Sequence, residues 1–435
     1  MLPTIIAAAV IVGLLLLWAS LSALKRRRLL EDLPTSKTSG VFIGLVELKG
    51  TAESEQPHQS FLAEQNCVWY SWTVQEHWSR TVTETYRDSD GKTKTRTRTE
   101  SGWTTVASGS DTSLFYLQDE LGVIQINPAR AEIHATSIFN KTVSKRDPLY
   151  YGKGPANGIM NSTGKRWFTE QAISLHQPIY VVGQARERTD CVAAEIAHCS
   201  RSPMFMISTS TEESHRCWGL WMFWLCGIAA VLLAIVGGIG LTAESLAPTT
   251  AIDIPVALGG GVFAIWGTGW LWMVYNSLIG LKNRVKMATA NIDVELKRRF
   301  DLIPQLLRVI EGMQHHERQV QETTALLRNQ GTIDSVSEDV PSLAKGCSRQ
   351  LIGLAENYPE LKTNALFLKL QTNLSETEQR IALARNYYND VIETYNNRCE
   401  RFPESMIAVL AGMKHIPLFQ AEDFERKNID IRLAE

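Results

Sequence analysis

The residue types that most often do chemistry form no recognisable active site in this sequence. Seven cysteines occur in 435 residues and none forms a C-x-x-C pair, so the paired thiolates of zinc ribbons, RING domains and thioredoxin-type sites are missing. The motifs G-x-S-x-G, H-E-x-x-H and G-x-G-x-x-G are also missing. The run GIMNSTGK at 158–165 is one residue too long for a phosphate-binding loop, and Arg166 replaces the Ser or Thr that would hold magnesium. The sequence therefore predicts no catalytic residue, no cofactor and no metal site.

The histidines leave one alternative open. His315 and His316 are adjacent, so on a helix they point in different directions and are poorly placed to bind one metal ion. An enzyme with an unrecognised site in 40–210 stays an alternative. A pocket that brings together His134, His176 and a carboxylate would favour it.

One set of polar residues shares a helical stripe near the C-terminus. Its members are spaced by three, four or seven residues and are Arg385, Tyr388, Asn389 and Asn396. These side chains form either a contact surface for a partner or neighbouring subunit, or internal hydrogen bonds that fix the register of a helical bundle. The sequence leaves both interpretations open.

A second set of candidate residues is cationic. Four basic residues alternate with threonines and therefore lie on one face of a strand: Lys92, Lys94, Arg96 and Arg98. The turn signal RDSDG at 87–91 predicts a long hairpin with arms at 78–86 and 92–99. The cations either meet anionic lipid headgroups or form a solvated edge strand that prevents aggregation.

Three uncharged, apolar segments are each long enough to cross a bilayer: 5–24, 217–241 and 254–281. Basic residues follow the first segment, which is the reverse of a signal peptide; others precede the second and follow the third. By the positive-inside rule the N-terminus and the 244–253 link lie outside, and both large polar regions lie in the cytoplasm. Because no ionisable residue lies inside a span, a pump or transporter is disfavoured.

The first polar region is expected to contain a basic linker at 25–39 and a β domain at 40–210. Short β-type runs bounded by turn residues predict its strands. They are Val41 to Leu48, Cys67 to Val74, Leu114 to Leu117, Val123 to Ile126 and Ile179 to Val182.

The second polar region, 282–435, is expected to be helical. Apolar residues recur every three or four positions from inside the third span to Ile310, which predicts one long helix that leaves the membrane unbroken. Pro304 should bend this helix or mark a junction in it. Further helical patterns occupy 341–357, 361–402 and 405–416.

The β region resembles the GIDE domain. The resemblance is carried by VFIGLVELKG, NCVWYSWTVQEHW, SLFYLQDELGVIQINPARAEI and FTEQAISLHQPIYVVGQAR. That family includes mitochondrial membrane-anchored RING-type ubiquitin ligases, in which a C-terminal RING is catalytic. Because this chain lacks the cysteines for a RING, the resemblance implies a small barrel-like β domain beside membrane helices and not ligase activity.

The C-terminal region closely resembles the LemA family. The resemblance is carried by NSLIGLKNRVKMATANIDVELKRRFDLIPQLL at 276–307, YPELKTN at 358–364 and SETEQRIALARNYYNDVIETYN at 375–396. It implies an antiparallel bundle of long helices in the cytoplasm, tethered by a membrane helix at its N-terminal end. No catalytic residue belongs to the family's motif. Family members usually have a single leading span, whereas a hairpin and a β domain come first here.

Together these patterns predict an α+β membrane protein with three transmembrane helices, a small barrel-like β domain and a long antiparallel helical bundle. A balanced charge, 44 basic against 46 acidic residues, disfavours nucleic acid as a partner. The expected domains are a transmembrane anchor at 1–24, the linker, the β domain, two membrane helices at 217–241 and 254–281, and the cytoplasmic bundle at 282–435.

We expect a non-enzymatic scaffold or self-assembling module in the bacterial inner membrane. Its partners would be membrane lipids and further copies of itself, joined through helices into a homo-oligomer. The alternative is a signalling or envelope quality-control component whose β domain senses a lipid or peptide ligand.

Overall fold

Two compact units make up the protein: Thr35–Trp221 forms one, and Met1–Pro34 together with Met222–Glu435 forms the other. The computed structural model describes residues 2–87, 93–188, 193–200, 202–210, 212–244, 253–313 and 365–419. The helical patterns at 341–357 and the link at 245–252 therefore lie outside the described residues.

The helices are α1 (Leu2–Glu31), α2 (Leu149–Gly152), α3 (Glu212–Glu244), α4 (Asp253–Met313), α5 (Ala365–Glu400) and α6 (Glu404–Leu410). The strands are β1 (Thr35–Ser36), β2 (Gly44–Glu53), β3 (His58–Gln59), β4 (Asn66–Arg87), β5 (Thr93–Ser110), β6 (Phe115–Gln118), β7 (Val123–Ile126), β8 (Glu132–His134), β9 (Thr136–Ser144), β10 (Ser162–Ser174), β11 (Pro178–Glu187), β12 (Ala194–Ala197) and β13 (Met206–Ser208).

Five strands of the larger sheet close into a barrel, as the sequence predicts. β2, β6, β7, β12 and β11 pair in that order, and β11 pairs again with β2. The core holds large apolar side chains such as Leu48, Phe115 and Val181, because alternate residues of each strand point inward. Gly50 lies where β2 approaches β6 closely, and a Cβ atom there would collide with the backbone oxygen of Gln118.

A second sheet contains the predicted hairpin. β4 pairs with β5 from Ser71–Ser110 to Arg87–Thr93, and β10 and β9 extend the sheet on the other side of β4. The turn residues 88–92 lie outside the described residues. The sequence divided β4 into two strands because polar residues at 75–77 interrupt its apolar run, but β4 continues through them for 22 residues.

A fully buried ion pair explains this polar interruption. Arg166 on β10 donates two hydrogen bonds to Glu76 Oε2 at 3.0 and 3.1 Å, and neither side chain is accessible to solvent. Burial alone would raise the pKa of Glu76, but hydrogen bonds from Ser162, Arg166 and Tyr150 outweigh it and lower the pKa below the usual 4.5. Arg166 also donates to the Tyr150 carbonyl at 2.7 Å. It also donates to the carbonyls of Pro155 at 2.8 Å and Asn157 at 3.1 Å, so it holds the residues directly before the run 158–165.

Among the residues that the structure describes, three helical stretches are long and apolar enough to cross a membrane, in agreement with the predicted number: Ala8–Glu31, Cys217–Ile239 and Ile254–Leu302. Ser20 joins all three, because its hydroxyl donates to the Phe223 carbonyl at 2.8 Å and accepts from Trp266 Nε1 at 3.1 Å. Phe223 and Trp266 stack with ring centroids 4.9 Å apart. α1 continues to Glu31, so the segment expected to be a basic linker begins as helix.

α4 runs for 61 residues without a break, including through Pro304. α5 packs against it in the antiparallel direction: Leu281 and Val285 contact residues near Val391, while Arg299 pairs with Glu378 at 2.7 Å. This arrangement confirms the predicted long helix and the antiparallel packing.

The last predicted helix is wrong in its length. α6 ends at Leu410 and not at Ile416, because Gly412 adopts a left-handed conformation at φ +63° that ends a helix. Residues 413–419 that follow contain no helix or strand.

Replacing Arg166 with Met should destabilise the β domain of the full chain by about 3 to 5 kcal/mol, because Glu76 would remain buried without its partner. Arg80→Met is the matched control, since that side chain is 55% exposed where it pairs with Glu100, and its loss should cost at most about 1 kcal/mol. Hydrogen exchange of the β4 and β10 amides measures both effects. Equal changes in hydrogen exchange in the two variants would contradict the conclusion that the buried Arg166–Glu76 pair stabilises the domain more than the exposed Arg80–Glu100 pair.

The same pair predicts a pH dependence. Because the pKa of Glu76 is lowered in the folded protein, its contribution to stability is fully present above the usual pKa of 4.5 and is lost as the pH falls through the folded value. We therefore expect the stability difference between the wild type and Arg166→Met to shrink below pH 4.5. An unchanged difference at lower pH would show that another group dominates.

Candidate functional site

The predicted polar stripe lies on one unbroken helix, α5, and faces the extended residues 413–419 of the same chain. Asn396 donates through Nδ2 to the Ile416 carbonyl at 2.8 Å and accepts from the Ile416 amide at 3.1 Å. Asn389 does the same with Phe419: Nδ2 donates to its carbonyl at 3.3 Å, and Oδ1 accepts from its amide at 2.8 Å. Each asparagine thus satisfies both backbone groups of one residue, as a neighbouring strand would.

The spacing of the two asparagines matches the spacing of their partners. Seven residues along a helix cover about 10.5 Å, and three residues of extended chain cover about 10 Å. Because the earlier asparagine holds the later residue, the segment 413–419 runs antiparallel to α5, with Ile416 and Phe419 held three residues apart. In a helix of the predicted extent, ending at Ile416, the Ile416 amide would instead donate to the carbonyl four residues earlier.

Aromatic and apolar contacts complete the site. The guanidinium of Arg385 lies 4.9 Å from the centroid of the Phe419 ring, and Tyr388 meets the same ring edge to face at 6.3 Å. Met413 and Ile416 pack against the cluster formed by α4 and α5. All four predicted stripe residues thus contact residues 416 or 419.

Tyr395 provides one further contact, which the stripe did not include. Its hydroxyl donates to the Lys414 carbonyl at 3.2 Å. Burial and, to a smaller extent, the neighbouring Cys399 raise the pKa of Tyr395 to about 12, so the hydroxyl keeps its proton at neutral pH. Two sequence signals indicate this residue: it directly precedes Asn396, and it follows Tyr388 by seven residues.

A buried ion cluster at the same end of α5 was not found by sequence reasoning. Arg398 donates to Asp32 Oδ1 at 2.8 Å, to Glu404 Oε1 at 3.2 Å and to Ser277 Oγ at 3.1 Å. Arg28 donates to the same Glu404 oxygen at 2.9 Å. The four charged residues are each 6 to 7% exposed, and together with Ser277 they come from α1, α4, α5, α6 and the residue after α1.

Three more charges complete this ion cluster. Arg284 donates to the Asp32 carbonyl at 3.1 Å, and Glu31 lies 3.6 Å from Arg398. Glu31 also pairs with Arg27 at 2.6 Å, so four arginines surround three carboxylates, and each carboxylate has a cation beside it. Arg28 and Arg284, which the sequence presents as free basic flanks of two spans, are held here by internal contacts.

The predicted cationic face lies on β5, which pairs with β4. Arg96 and Arg98 are exposed and lie opposite Glu84 and Val82 of β4. Lys94 belongs to the same strand, while Lys92 lies outside the described residues. The structure thus brings three of the four residues to one strand, and Arg96 and Arg98, two residues apart, lie on the same face.

A cleft of about 1110 Å³ opens on the barrel. Its lining includes His176 and Glu53, whose Nδ1 and Oε2 atoms are 2.7 Å apart. Burial would raise the pKa of Glu53, but hydrogen bonds from His176 and Thr51 lower it, so the carboxylate is charged. His134 pairs instead with Glu132 and is not among the residues that line the cleft. The histidine cluster that would favour an enzyme is therefore incomplete.

Among the residues that the structure describes, no group of three His, Cys, Asp or Glu side chains is placed to hold a metal ion. His315 and His316 lie outside them.

Removing one asparagine should release only its own partner. We expect Asn396→Ala to speed hydrogen exchange at the Ile416 amide, and Asn389→Ala at the Phe419 amide, each by roughly 5- to 30-fold, since lost bonds of this kind are worth about 1 to 2 kcal/mol. Asn397→Ala is the matched control because that side chain is exposed. If the Ile416 and Phe419 amides exchanged at the same rates in all three variants, the pairing of each asparagine with its own residue would be contradicted.

Comparison with known proteins agrees with both resemblances. The family model of LemA matches residues 288–433, and the GIDE family model, described as E3 Ubiquitin ligase, matches residues 83–238. Protein LemA of Metamycoplasma hominis is 24% identical over 177 residues, which is 39% of this chain and 81% of that protein.

Magnetosome proteins are also similar. Magnetosome protein MamQ 2 of Paramagnetospirillum magneticum is 22% identical over 179 residues, 34% of this chain. MamQ of Magnetospirillum gryphiswaldense is 22% identical over 178 residues, also 34% of this chain. The match spans 66% and 65% of these two proteins, slightly under two thirds of their lengths. Together with the three candidate spans, these similarities identify a membrane-associated, LemA-like protein that also carries a GIDE-like region.

Proposed function

We propose that this protein is a non-enzymatic membrane scaffold that self-associates and presents its β domain and its helical bundle on one side of a bacterial inner membrane. The observation that carries the proposal is the continuity of α4. This helix begins in an apolar span and extends for 61 residues. The bundle is therefore joined to the membrane segment by continuous helix, without a linker between them.

The ion cluster supports a structural role. It joins the end of α1, the middle of α4, the end of α5 and the start of α6, and every charge in it has a partner of opposite sign or a backbone acceptor. Removing one of these charges would leave its partner buried and unpaired, so the cluster fixes how the helix ends meet.

The number of spans supports presentation on a single side. The β domain follows the first span and the bundle follows the third, so an odd number of crossings separates the N-terminus from each of them. The basic residues 25–27, 282 and 286 favour the cytoplasm for both. Under this topology the N-terminus and the 244–253 link lie outside.

The description of the GIDE family as an E3 ubiquitin ligase does not carry into the proposal. Such ligases use a RING, which needs paired cysteines for zinc, and the seven cysteines of this sequence form no C-x-x-C pair. Cys67, which is buried in the β domain, has a pKa raised to about 11 by burial and by nearby Glu170 and Asp111, so it is a poor nucleophile at neutral pH.

Self-association can be tested with two differently tagged full-length copies expressed together. We expect one tag to retrieve the other from mild detergent, and native mass spectrometry to give a mass above that of one 48.7 kDa chain. In the control, two membrane preparations that each contain one tagged copy are solubilised separately and then mixed. This control detects association that forms only in detergent. A strict monomer in both detergent and nanodiscs would contradict the proposal.

A second candidate function is sensing, in which the β domain binds a lipid or peptide and the bundle responds. Two observations favour it: the cleft on the barrel and the exposed Arg96 and Arg98 on β5. An anionic membrane surface attracts such clusters by about 1 kcal/mol for each basic residue near it.

Charge reversal separates the two functions. In nanodiscs that contain phosphatidylserine, a sensing domain should show slower hydrogen exchange at 93–99 than in nanodiscs of phosphatidylcholine alone, and reversal of 92, 94, 96 and 98 to Glu should abolish the difference. The control reverses four exposed cations elsewhere in the β domain, Arg130, Lys145, Arg146 and Lys165. No lipid dependence in the wild type would exclude sensing through this face.

A further inference from the structure

The short helix α6 has two apolar faces, and only one of them is covered. Ala408 is 2% exposed and packs with Val274 and Leu278 of α4. On the other side, Met406, Val409 and Leu410 are 60, 77 and 87% exposed. Phe402, just before the helix, is 77% exposed. Val409 and Leu410 follow Met406 by three and four residues, so the three share one face of the helix and form an apolar stripe.

The covered face fixes the height of α6 relative to the membrane. Val274 and Leu278 lie inside the uncharged segment 254–281, about 4 to 10 Å before its end at 1.5 Å per residue. α6 therefore lies beside the last turns of an apolar span, where lipid and not bulk water surrounds the protein.

The polar end of the helix agrees with this height. Glu404, the first residue of α6, pairs with Arg28 at 2.9 Å. Arg28 lies four residues beyond the end of the first apolar segment at Leu24, which corresponds to about 6 Å. Two spans thus place α6 independently at the boundary between headgroups and acyl chains.

The sequence of α6 and its flanks fits such a boundary. Residues 405–413 carry no charge, whereas Lys414 and His415 follow immediately. A helix whose apolar stripe enters the bilayer by about 5 to 10 Å, with polar groups at its ends, is the pattern of an interfacial helix. In water this stripe and Phe402 would expose four large apolar side chains without a partner.

We propose that α6 and Phe402 are embedded in the bilayer interface, with the acyl chains of lipids covering Phe402, Met406, Val409 and Leu410. The LemA-like bundle would then touch the membrane at two places, through the span that continues into α4 and through this helix. The occupant is lipid and not a second copy, because the stripe is at the depth of the span and not beyond it.

Photocrosslinking in proteoliposomes tests the proposal on the full-length chain. A photoreactive benzoylphenylalanine replaces Val409, and the same substitution at Ile265 and Val294 supplies matched controls. Ile265 is 64% exposed inside the uncharged segment 254–281, and Val294 is 65% exposed on α4 beyond that segment. Peptide mass spectrometry then identifies what each position has captured.

We expect lipid adducts at position 409 with a yield similar to that at 265 and well above that at 294. A yield at 409 no higher than at 294, while 265 captures lipid, would overturn the proposal. Capture at 409 of a peptide from the same chain or from a second copy, without lipid, would overturn it as well. Because the crosslinker is itself apolar, these variants are expected to fold, and the native α5 exchange pattern confirms it.

Discussion

The helical unit depends on the pairing of Arg398 with Asp32 and Glu404. These contacts join residues 366 and 6 positions apart in the chain, so the end of the first helix and the end of the last long helix meet at one point. A buried charge cluster of this kind does not have to add net stability, since apolar packing could replace it. What it adds is uniqueness: any other register between α1 and α5 would leave a charge buried without a partner, at a cost of about 3 to 5 kcal/mol.

Local pattern in the sequence predicted the elements well. β7 begins and ends where the alternation of Val123 to Ile126 places it, the β4–β5 hairpin follows its turn signal, and the helical period carried α4 through the membrane boundary. These successes share one cause, because each element is defined by side chains that repeat along the chain and bury one face. The barrel was predicted only through resemblance, since its closure requires β11 to pair with a strand more than 120 residues away, β2.

Contacts between distant residues were beyond sequence reasoning. Nothing near Arg28 in the sequence indicates Glu404, and nothing near Arg166 indicates that its partner is Glu76 on another strand. Both arginines were interpreted by their local context. Arg28 was assigned to the basic residues beside a membrane span, and Arg166 was taken as a mismatch to the phosphate-loop motif. The partners of the two asparagines were missed for a related reason. They are backbone groups, which every residue carries, and residues 413–416 were expected to use those groups in a helix.

The two interpretations of the polar stripe on α5 are physically connected. Asn389 and Asn396 recognise the amide and carbonyl of an extended chain rather than any side chain, so another extended segment of matching repeat would satisfy them equally. A partner would therefore have to displace 413–419 and not dock on a free surface. Displacement requires residues 413 and 416 to leave the α4–α5 groove, and Gly412, with its φ of +63°, is the point at which the chain would turn. Because α6 lies directly before that point, its position relative to the membrane would restrict how far the released segment can move.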